Sequence, residues 1–195
     1  PQHARMRFSL ALLPLLFVLS LALLRGVEAG ERTVLEGVVV GVVDGDTVDV
    51  RLASGQVRIR LQAIDAPEMG QAYGKAAKRA LSDLVYGKAV DVEPFEQDRY
   101  DRLVARLWIA DLDVNAELVK RGMAWTYRRY ANDVAYCAYE QAARELNRGL
   151  WSLPREQRPA PWEWRRRKTL DGHYTDYTHE TVAHCIATLG KASGT

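Results

Sequence analysis

The sequence lacks three features: a surplus of charge, an internal repeat and more than a few cysteines. Its 195 residues include 27 basic and 25 acidic side chains, and no segment repeats another. Residues 1–29 hold three of the arginines and one of the glutamates, so the rest of the chain is formally neutral, with 24 residues of each sign. A neutral chain has no overall positive field, so a nucleic-acid partner would have to bind to a local basic patch.

The chain has only two cysteines, Cys137 and Cys185. Cys185 and the histidines near it match no strong zinc-binding spacing, which argues against a zinc module. The apolar stripe of the helix predicted over 134–147 consists of Ala135, Tyr139, Ala142 and Leu146. Cys137 falls outside this stripe and is therefore predicted on the polar side, within reach of solvent or the C-terminal tail. We expect a Cys137–Cys185 disulfide in an oxidising compartment, whereas two free thiols would follow if the chain is not exported.

A single long hydrophobic run, FSLALLPLLFVLSLALL, lies near the N-terminus and follows two arginines. After it, Val27 and Ala29 stand two apart, as small residues do around a signal-peptidase site. We interpret residues 1–29 as a signal peptide, which predicts a secreted or periplasmic bacterial protein. An uncleaved membrane anchor is the alternative, because the run is about as long as a short spanning helix. Pro14 and the small-residue site favour cleavage.

The middle of the chain has the pattern of a small barrel with helices. β-Branched runs predict strands in TVLEGVVVGVV, TVDVRLA, QVRIRLQAI, AVDVEPF and LVARLWIA. Helical spacing predicts helices over 72–85, 114–121 and 134–147. Asp113 is placed to cap the second helix and Gly122 to end it. This order predicts an α+β, mainly β fold: an OB-fold five-stranded barrel with about three helices. We assign it to residues 30–153, followed by a Pro/Arg-rich C-terminal extension over 154–195.

Acidic residues interrupt the first hairpin in the segment VVDGDTVDV, residues 42–50. Asp44 and Gly45 are typical of a hairpin turn, in which an Asp-Gly pair supplies positive-φ positions. Asp46 shares its alternation with the valines that follow it, so it is predicted to point toward the packed side or the barrel mouth. A carboxylate in that position needs a partner.

A second acidic interruption follows the third strand, in the segment RLQAIDAPEMG, residues 60–70. Arg58 and Arg60 share one face of the strand. Asp65 and Glu68 then lie on either side of a proline, so both carboxylates belong to one rigid turn. Taken singly, each residue is explained by a surface salt bridge or a turn cap. In combination with the first interruption, they can bind a hard cation through oxygen ligands.

Five segments in order resemble the staphylococcal nuclease (thermonuclease) family. They are VVDGDTVDV, RLQAIDAPEMG, DRYDRLVARL, NAELVKRGMAWTY and NRGLW. The resemblance extends from about Thr33 to Trp151, and PWEWRRRK resembles the ending common among bacterial members. It implies an OB-fold nuclease that hydrolyses phosphodiester bonds in DNA and RNA with calcium. We expect such a protein to be a monomer.

The resemblance also implies roles for individual residues by their motif positions. The implied calcium ligands are the carboxylates of Asp46 and Asp65 and the backbone carbonyl of Ala66. The implied catalytic residues are Glu68 as general base and Arg60 and Arg102 as the arginines that bind the phosphate. The implied substrate-contacting residues are Arg99 and Tyr100. Tyr127 is a further candidate, although the register leaves Tyr127 and Tyr130 as alternatives for stacking on a base or for packing.

Two positions depart from the family pattern. Ala66 stands where the type enzyme has threonine, and because the implied ligand is the backbone carbonyl, we expect the metal site to survive. Asp101 stands where a glycine is common in the motif DRYGR. A carboxylate beside Arg102 is expected either to orient that arginine or to compete with phosphate for it, which would lower activity.

Alternatives remain open for the tail and for the function. WEWRRRK is either a nucleic-acid clamp, with aromatic rings for stacking, or a solvated basic tail. The favoured function is an exported calcium-dependent nuclease. A catalytically weak or inactive nucleic-acid-binding module is the second hypothesis, against which the full set of implied catalytic residues argues. A phosphodiesterase for another substrate, or a processing enzyme within an export system, is the third.

Overall fold

A computed structural model describes residues 34–166 and 174–190 of the chain. The predicted signal peptide lies outside these ranges. Within them, no helix has the length and apolar character that crossing a membrane requires.

Five strands form a closed barrel, and three short strands accompany them. In chain order the strands are β1 (Leu35–Val42), β2 (Thr47–Leu52), β3 (Gly55–Leu61), β4 (Ile64–Asp65), β5 (Ala89–Gln97), β6 (Leu103–Ile109), β7 (Leu112–Asp113) and β8 (Trp125–Thr126). The barrel strands pair in the order β3-β2-β1-β5-β6, and a parallel pairing of β3 with β6 closes the ring. The β-branched side chains of Val39, Val48, Val50 and Ile59 fill its interior. The predicted α+β, OB-like barrel is confirmed.

Three helices lie where the sequence pattern predicted them, and two more lie in the described part of the C-terminal extension. They are α1 (Gly74–Val85), α2 (Val114–Lys120), α3 (Ala135–Glu145), α4 (Pro161–Arg166) and α5 (Val182–Thr188), with 3-10 turns at Gly149–Ser152 and Arg155–Gln157. As predicted, Asp113 caps α2, because its Oδ1 accepts a hydrogen bond of 2.9 Å from the Ala116 N–H. Gly122 follows α2 with a φ of 66°, a conformation that glycine adopts without strain.

The buried face of α3 differs from the predicted one. Tyr136, Cys137 and Glu140 are buried, whereas Leu146 is 60% exposed. The predicted apolar stripe was therefore wrong. Glu140 lies on the inner face because Arg128 and Arg144 neutralise it, at 2.9 and 3.3 Å respectively. Because Arg128 lies outside the helix, helical periodicity alone assigns the charged Glu140 to the surface.

The C-terminal extension packs back onto α3. A disulfide joins Cys137 to Cys185 of α5, with 5.8 Å between their Cα atoms, which confirms the predicted pairing. Cys137 reaches the tail as predicted, but its predicted place on the polar side of the helix was wrong, since this side chain is fully buried. Next to the disulfide, Glu180 forms ion pairs with Arg128 and Arg144. A covalent bond and a buried ionic cluster therefore hold the extension against the domain.

Candidate active site

The centre of the site is a pair of buried carboxylates that share one arginine. Asp46 immediately precedes β2 and is 7% exposed, and Asp65 ends β4 and is 1% exposed. Arg60 Nη2 lies 3.2 Å from Asp46 Oδ2 and 3.0 Å from Asp65 Oδ1. The antiparallel register pairs Arg60 with Thr47, which places the arginine beside the turn that carries Asp46. The structure thus brings three of the predicted site residues together.

Backbone and side-chain donors fix the orientation of Asp46. The Ala66 N–H donates to Asp46 Oδ2 across 2.6 Å, and the Thr47 hydroxyl donates to Asp46 Oδ1 across 3.2 Å. The pKa of Asp46 is raised to about 7, mainly by burial and also by the charges of Asp65 and Asp44, although Arg60 and the Ala66 N–H act to lower it. Because concentrated negative charge causes part of this shift, a bound cation would favour the ionised carboxylate.

Gly45 allows the Asp46 turn to approach the rest of the site closely. The residue does not have a positive φ, so the predicted reason for a glycine here was wrong. A Cβ atom at this position would lie 2.6 Å from the Ala66 Cβ and 2.8 Å from the Ala77 Cβ. The turn needs glycine because the chain after β4 and helix α1 leave no space for a side chain.

Glu68 lies at the outer edge of the carboxylate pair. Its N–H donates to Gln71 Oε1 across 2.8 Å, and the Gln71 side chain in turn donates to the Pro159 carbonyl across 3.0 Å. The Glu68 side chain is 38% exposed, so water can reach its carboxylate. A carboxylate that is accessible to water and adjacent to buried charged groups is suited to act as a general base.

Arg165, from α4 in the C-terminal extension, contacts the carboxylates of Asp65 and Glu68. Its Nη1 and Nη2 donate to the two oxygens of Asp65 across 3.0 and 2.7 Å, and Nη1 also donates to Glu68 Oε1 across 2.8 Å. On the same helix, the Trp162 ring stacks on Tyr127 with centroids 5.4 Å apart and planes 3° apart. The solvated-tail interpretation of WEWRRRK was therefore wrong for these two residues.

Tyr127 is half-buried at this aromatic contact. Burial and the nearby charge of Asp65 raise its pKa. Trp162 covers one face of its ring, and Tyr130 approaches the same ring in an edge-to-face arrangement with centroids 4.8 Å apart. A base could stack on Tyr127 at the covered face only if Trp162 moved away. The role of Tyr127 in substrate contact stays a prediction.

The other predicted substrate-contacting and phosphate-binding residues form a separate cluster after β5. Arg102 Nε donates to Asp98 Oδ2 across 2.8 Å, and its N–H donates to Asp98 Oδ1 across 3.0 Å. Arg99 donates to the Tyr100 hydroxyl across 2.7 Å, and the Arg102 guanidinium lies 5.4 Å from the Tyr100 ring centre. Asp98 therefore orients Arg102, which is one of the two roles that the sequence left open for Asp101.

Asp101 has a left-handed backbone, with a φ of 59°. Glycine adopts this conformation at no steric cost, and aspartate is one of the few other residues that tolerate it. The left-handed backbone at this position thus explains why the family motif commonly has glycine there. Asp101 is exposed on the turn, where it leaves the Arg102–Asp98 pair intact.

The oxygen donors of the site fit a hard cation. Among residues 34–166 and 174–190, no group of three or more His, Cys, Asp or Glu side chains is arranged to hold a metal ion. The predicted ligand set does not require such a group, because it consists of two carboxylates, from Asp46 and Asp65, and the Ala66 carbonyl. All three are oxygen donors of the kind that calcium prefers. The positively charged Arg165 fork against Asp65 also shows that this position attracts a cation.

Comparison with known proteins identifies the class. Residues 58–153 match the model of a family described as staphylococcal nuclease homologue. The chain is 42% identical over 142 residues to the micrococcal nuclease of Shigella flexneri, covering 67% of this chain and 80% of that protein. It is 42% identical over 136 residues to an uncharacterized endonuclease of Escherichia coli, covering 69% and 87%. It is also 41% identical over 143 residues to protein ParB of Escherichia coli, covering 68% and 80%.

The closed barrel and the carboxylate pair at its edge define an OB-fold protein with an acidic site, and the relatives support a nuclease function. The chain belongs to the staphylococcal nuclease family.

Two residues of the site were missed by sequence reasoning. Asp98 belongs to the motif DRYDR, and its position four residues before Arg102 was a usable signal for an ion pair. Arg165 was assigned only to a possible phosphate clamp. Its contact with Asp65 spans 100 residues of sequence, and no local pattern predicts such a contact.

Proposed function

We propose that this protein is an exported, calcium-dependent nuclease that hydrolyses phosphodiester bonds in DNA and RNA. The observation that carries the proposal is the convergence of Asp46, Asp65 and Arg60 within 3.2 Å contacts, with Glu68 at the solvent edge. Phosphodiester hydrolysis requires a cation site, a phosphate contact and a base. The two buried carboxylates would provide the first, the guanidinium the second and the accessible carboxylate the third.

Asp46, Asp65 and the Ala66 carbonyl would hold the calcium ion. When bound, calcium supplies positive charge that stabilises the developing charge on the phosphoryl oxygens. Arg60 Nη1 donates a hydrogen bond of 2.6 Å to the Leu61 carbonyl, so the guanidinium is fixed before substrate arrives. A fixed planar fork can donate to two phosphate oxygens at once, which a lysine cannot do.

Glu68 and Arg102 complete the proposed machinery. Glu68 accepts a proton from the water that attacks the phosphorus, which requires reach to that water more than a shifted pKa. Arg102 supplies a second guanidinium for the phosphate, and Asp98 restricts its rotamers beforehand. Arg99 and Tyr100 on the same turn are proposed to contact the adjoining nucleotides.

The proposal of export rests on the N-terminal segment and on the disulfide. The Cys137–Cys185 bond is of the kind that persists in secreted and periplasmic proteins and is rare in the cytosol. It supports the interpretation of residues 1–29 as a signal peptide. We further propose that the mature protein is a monomer.

Nuclease assays on the purified protein test the function. Supercoiled plasmid, single-stranded DNA and RNA are each incubated with the protein in Ca²⁺ or in a calcium chelator. We expect all three to be cleaved in Ca²⁺, with no cleavage in chelator and recovery when Ca²⁺ is added back. Cleavage at the same rate in chelator would contradict calcium dependence.

A second candidate function is that of a nucleic-acid-binding protein with little or no catalysis. The observation that favours it is the Arg165 fork, which occupies both oxygens of Asp65 and contacts Glu68. If that contact is permanent, the protein would bind labelled DNA in a gel-shift assay and leave it intact over long incubation in Ca²⁺.

A further inference from the structure

Arg165 forms the most extensive ionic contact of the site, although it belongs to the C-terminal extension. Its guanidinium makes a two-point contact with Asp65 and a third bond to Glu68. Asp65 Oδ1 also accepts from Arg60, so both oxygens of this buried carboxylate are already used by guanidinium groups. A cation that binds to Asp65 therefore competes with guanidinium groups at both of its oxygens.

Arg165 is the guanidinium that can leave. Arg60 belongs to a barrel strand, its side chain is 13% exposed, and it is held by the Leu61 carbonyl and Asp46 as well. The Arg165 side chain is 40% exposed and lies at the outer side of Asp65. Its withdrawal would expose oxygens of Asp65 and Glu68 together, whereas loss of Arg60 would disrupt the barrel edge.

The extension holds Arg165 close to the site, so the effective concentration of its guanidinium beside Asp65 is high. Trp162 is stacked on Tyr127 one turn earlier in α4, and the extension is fastened again at Cys185 and Glu180. An attached group competes as an intramolecular ligand, so a single side chain can oppose a divalent ion that is dilute in solution.

We propose that Arg165 is an autoinhibitory side chain that competes with the divalent cation for Asp65 and at the same time occupies the carboxylate of Glu68. The extension thereby sets the cation concentration at which the site becomes loaded. This inference rests on the proposed function, because it takes Asp65 as a calcium ligand and Glu68 as the general base. It adds a regulatory role for the segment PWEWRRRK, which includes α4.

Isothermal titration of Ca²⁺ into the full-length mature protein, without nucleic acid, tests the competition. Arg165→Gln is compared with the parent protein and with Arg166→Gln, which removes the same charge from an exposed neighbour on α4. We expect Arg165→Gln to bind Ca²⁺ about tenfold more tightly, a typical coupling between competing ligands. Arg166→Gln should change the affinity by less than about twofold, because exposed charges are screened by salt.

Arg165→Lys separates direct contact from charge. A lysine retains the positive charge but loses the two-point contact, so we expect a Ca²⁺ affinity between those of the parent and Arg165→Gln. Circular dichroism of each variant verifies that the fold is retained. Equal tightening by Arg166→Gln would show a general charge effect and overturn the inference.

The results separate this inference from the function on which it rests. Ca²⁺-dependent cleavage by the parent, together with equal Ca²⁺ affinity in the parent and Arg165→Gln, would contradict the inference alone. Absence of Ca²⁺ binding in both proteins would contradict the inference and the calcium dependence together. Weaker binding by Arg165→Gln would show that Arg165 supports the cation site and would overturn the competition.

Discussion

Arg60 Nη2 lies 3.0 Å from Asp65 Oδ1, and the same nitrogen lies 3.2 Å from Asp46 Oδ2. One guanidinium thus bridges two carboxylates from separate parts of the chain, the first immediately before β2 and the second at the end of β4. The second terminal nitrogen, Nη1, donates to the Leu61 carbonyl across 2.6 Å, and a lysine cannot make this contact and the bridge at once.

Arg60→Lys should therefore be severe, whereas Arg58→Lys should be mild. Arg58 is 52% exposed and pairs with Asp49 on the outside of the barrel, at 2.8 Å. We expect Arg60→Lys to reduce the rate of DNA cleavage by about 10² to 10³, the usual cost of losing one transition-state donor. Steady-state kinetics on both folded variants measures the difference. Equal losses of cleavage rate in the two variants would contradict a specific catalytic role for Arg60.

Glu68→Gln should separate catalysis from folding and metal binding. The substitution removes a proton acceptor but keeps the side chain's shape, so we expect a rate loss of about 10² to 10⁴. Stability should change by less than about 1 kcal/mol, because the Glu68–Arg165 pair is partly exposed. Thermal unfolding and single-turnover cleavage test both parts. Near-normal turnover in the folded variant would refute the base assignment.

Gly45→Ala should destabilise the protein by about 1 to 3 kcal/mol, since the new methyl group would overlap Ala66 and Ala77. It should also lower cleavage, because the same turn carries Asp46. Gly70→Ala is the matched control: its added Cβ would meet nothing within 4 Å, and its φ is not positive. Chemical denaturation compares the two variants. A fully stable Gly45→Ala protein would show that the turn has room to adjust.

The Cys137–Cys185 bond should form when the protein is produced in the periplasm. Intact-mass measurement after thiol alkylation should show no label before reduction and two labelled cysteines after it. The bond closes a loop of 48 residues, so its reduction should cost up to about 4 kcal/mol in the chain-entropy estimate. Two labelled cysteines before reduction would contradict the pairing.

The barrel could be predicted because its strands are locally regular. Val48, Val50 and Ile59 alternate with polar residues, and this alternation alone identifies the buried face. The inner face of α3 could not be predicted, since the burial of Glu140 depends on Arg128 of another segment in addition to Arg144, one turn later on the same face of the helix. Sequence periodicity does not encode the pairing with Arg128.

The central residues of the candidate site were predicted from the sequence, but the contact that Arg165 makes at its edge was not. Asp46, Asp65 and Arg60 belong to short motifs in fixed order, and the structure brings them together. The Arg165 contact depends on how a distant helix packs, which in turn depends on the Trp162–Tyr127 stack and on the disulfide. A contact of this kind requires the tertiary structure.

Plasmid cleavage by the parent protein and by Asp65→Asn, purified side by side, tests the central claim most directly. The substitution removes the charge of a buried carboxylate that is proposed to hold the cation and that Arg60 and Arg165 both contact. We expect the parent to cleave in Ca²⁺ and to stop in chelator, and Asp65→Asn to be inactive under both conditions while remaining folded. Cleavage by Asp65→Asn at the parent rate, or by the parent in chelator, would contradict a calcium-dependent nuclease centred on this residue.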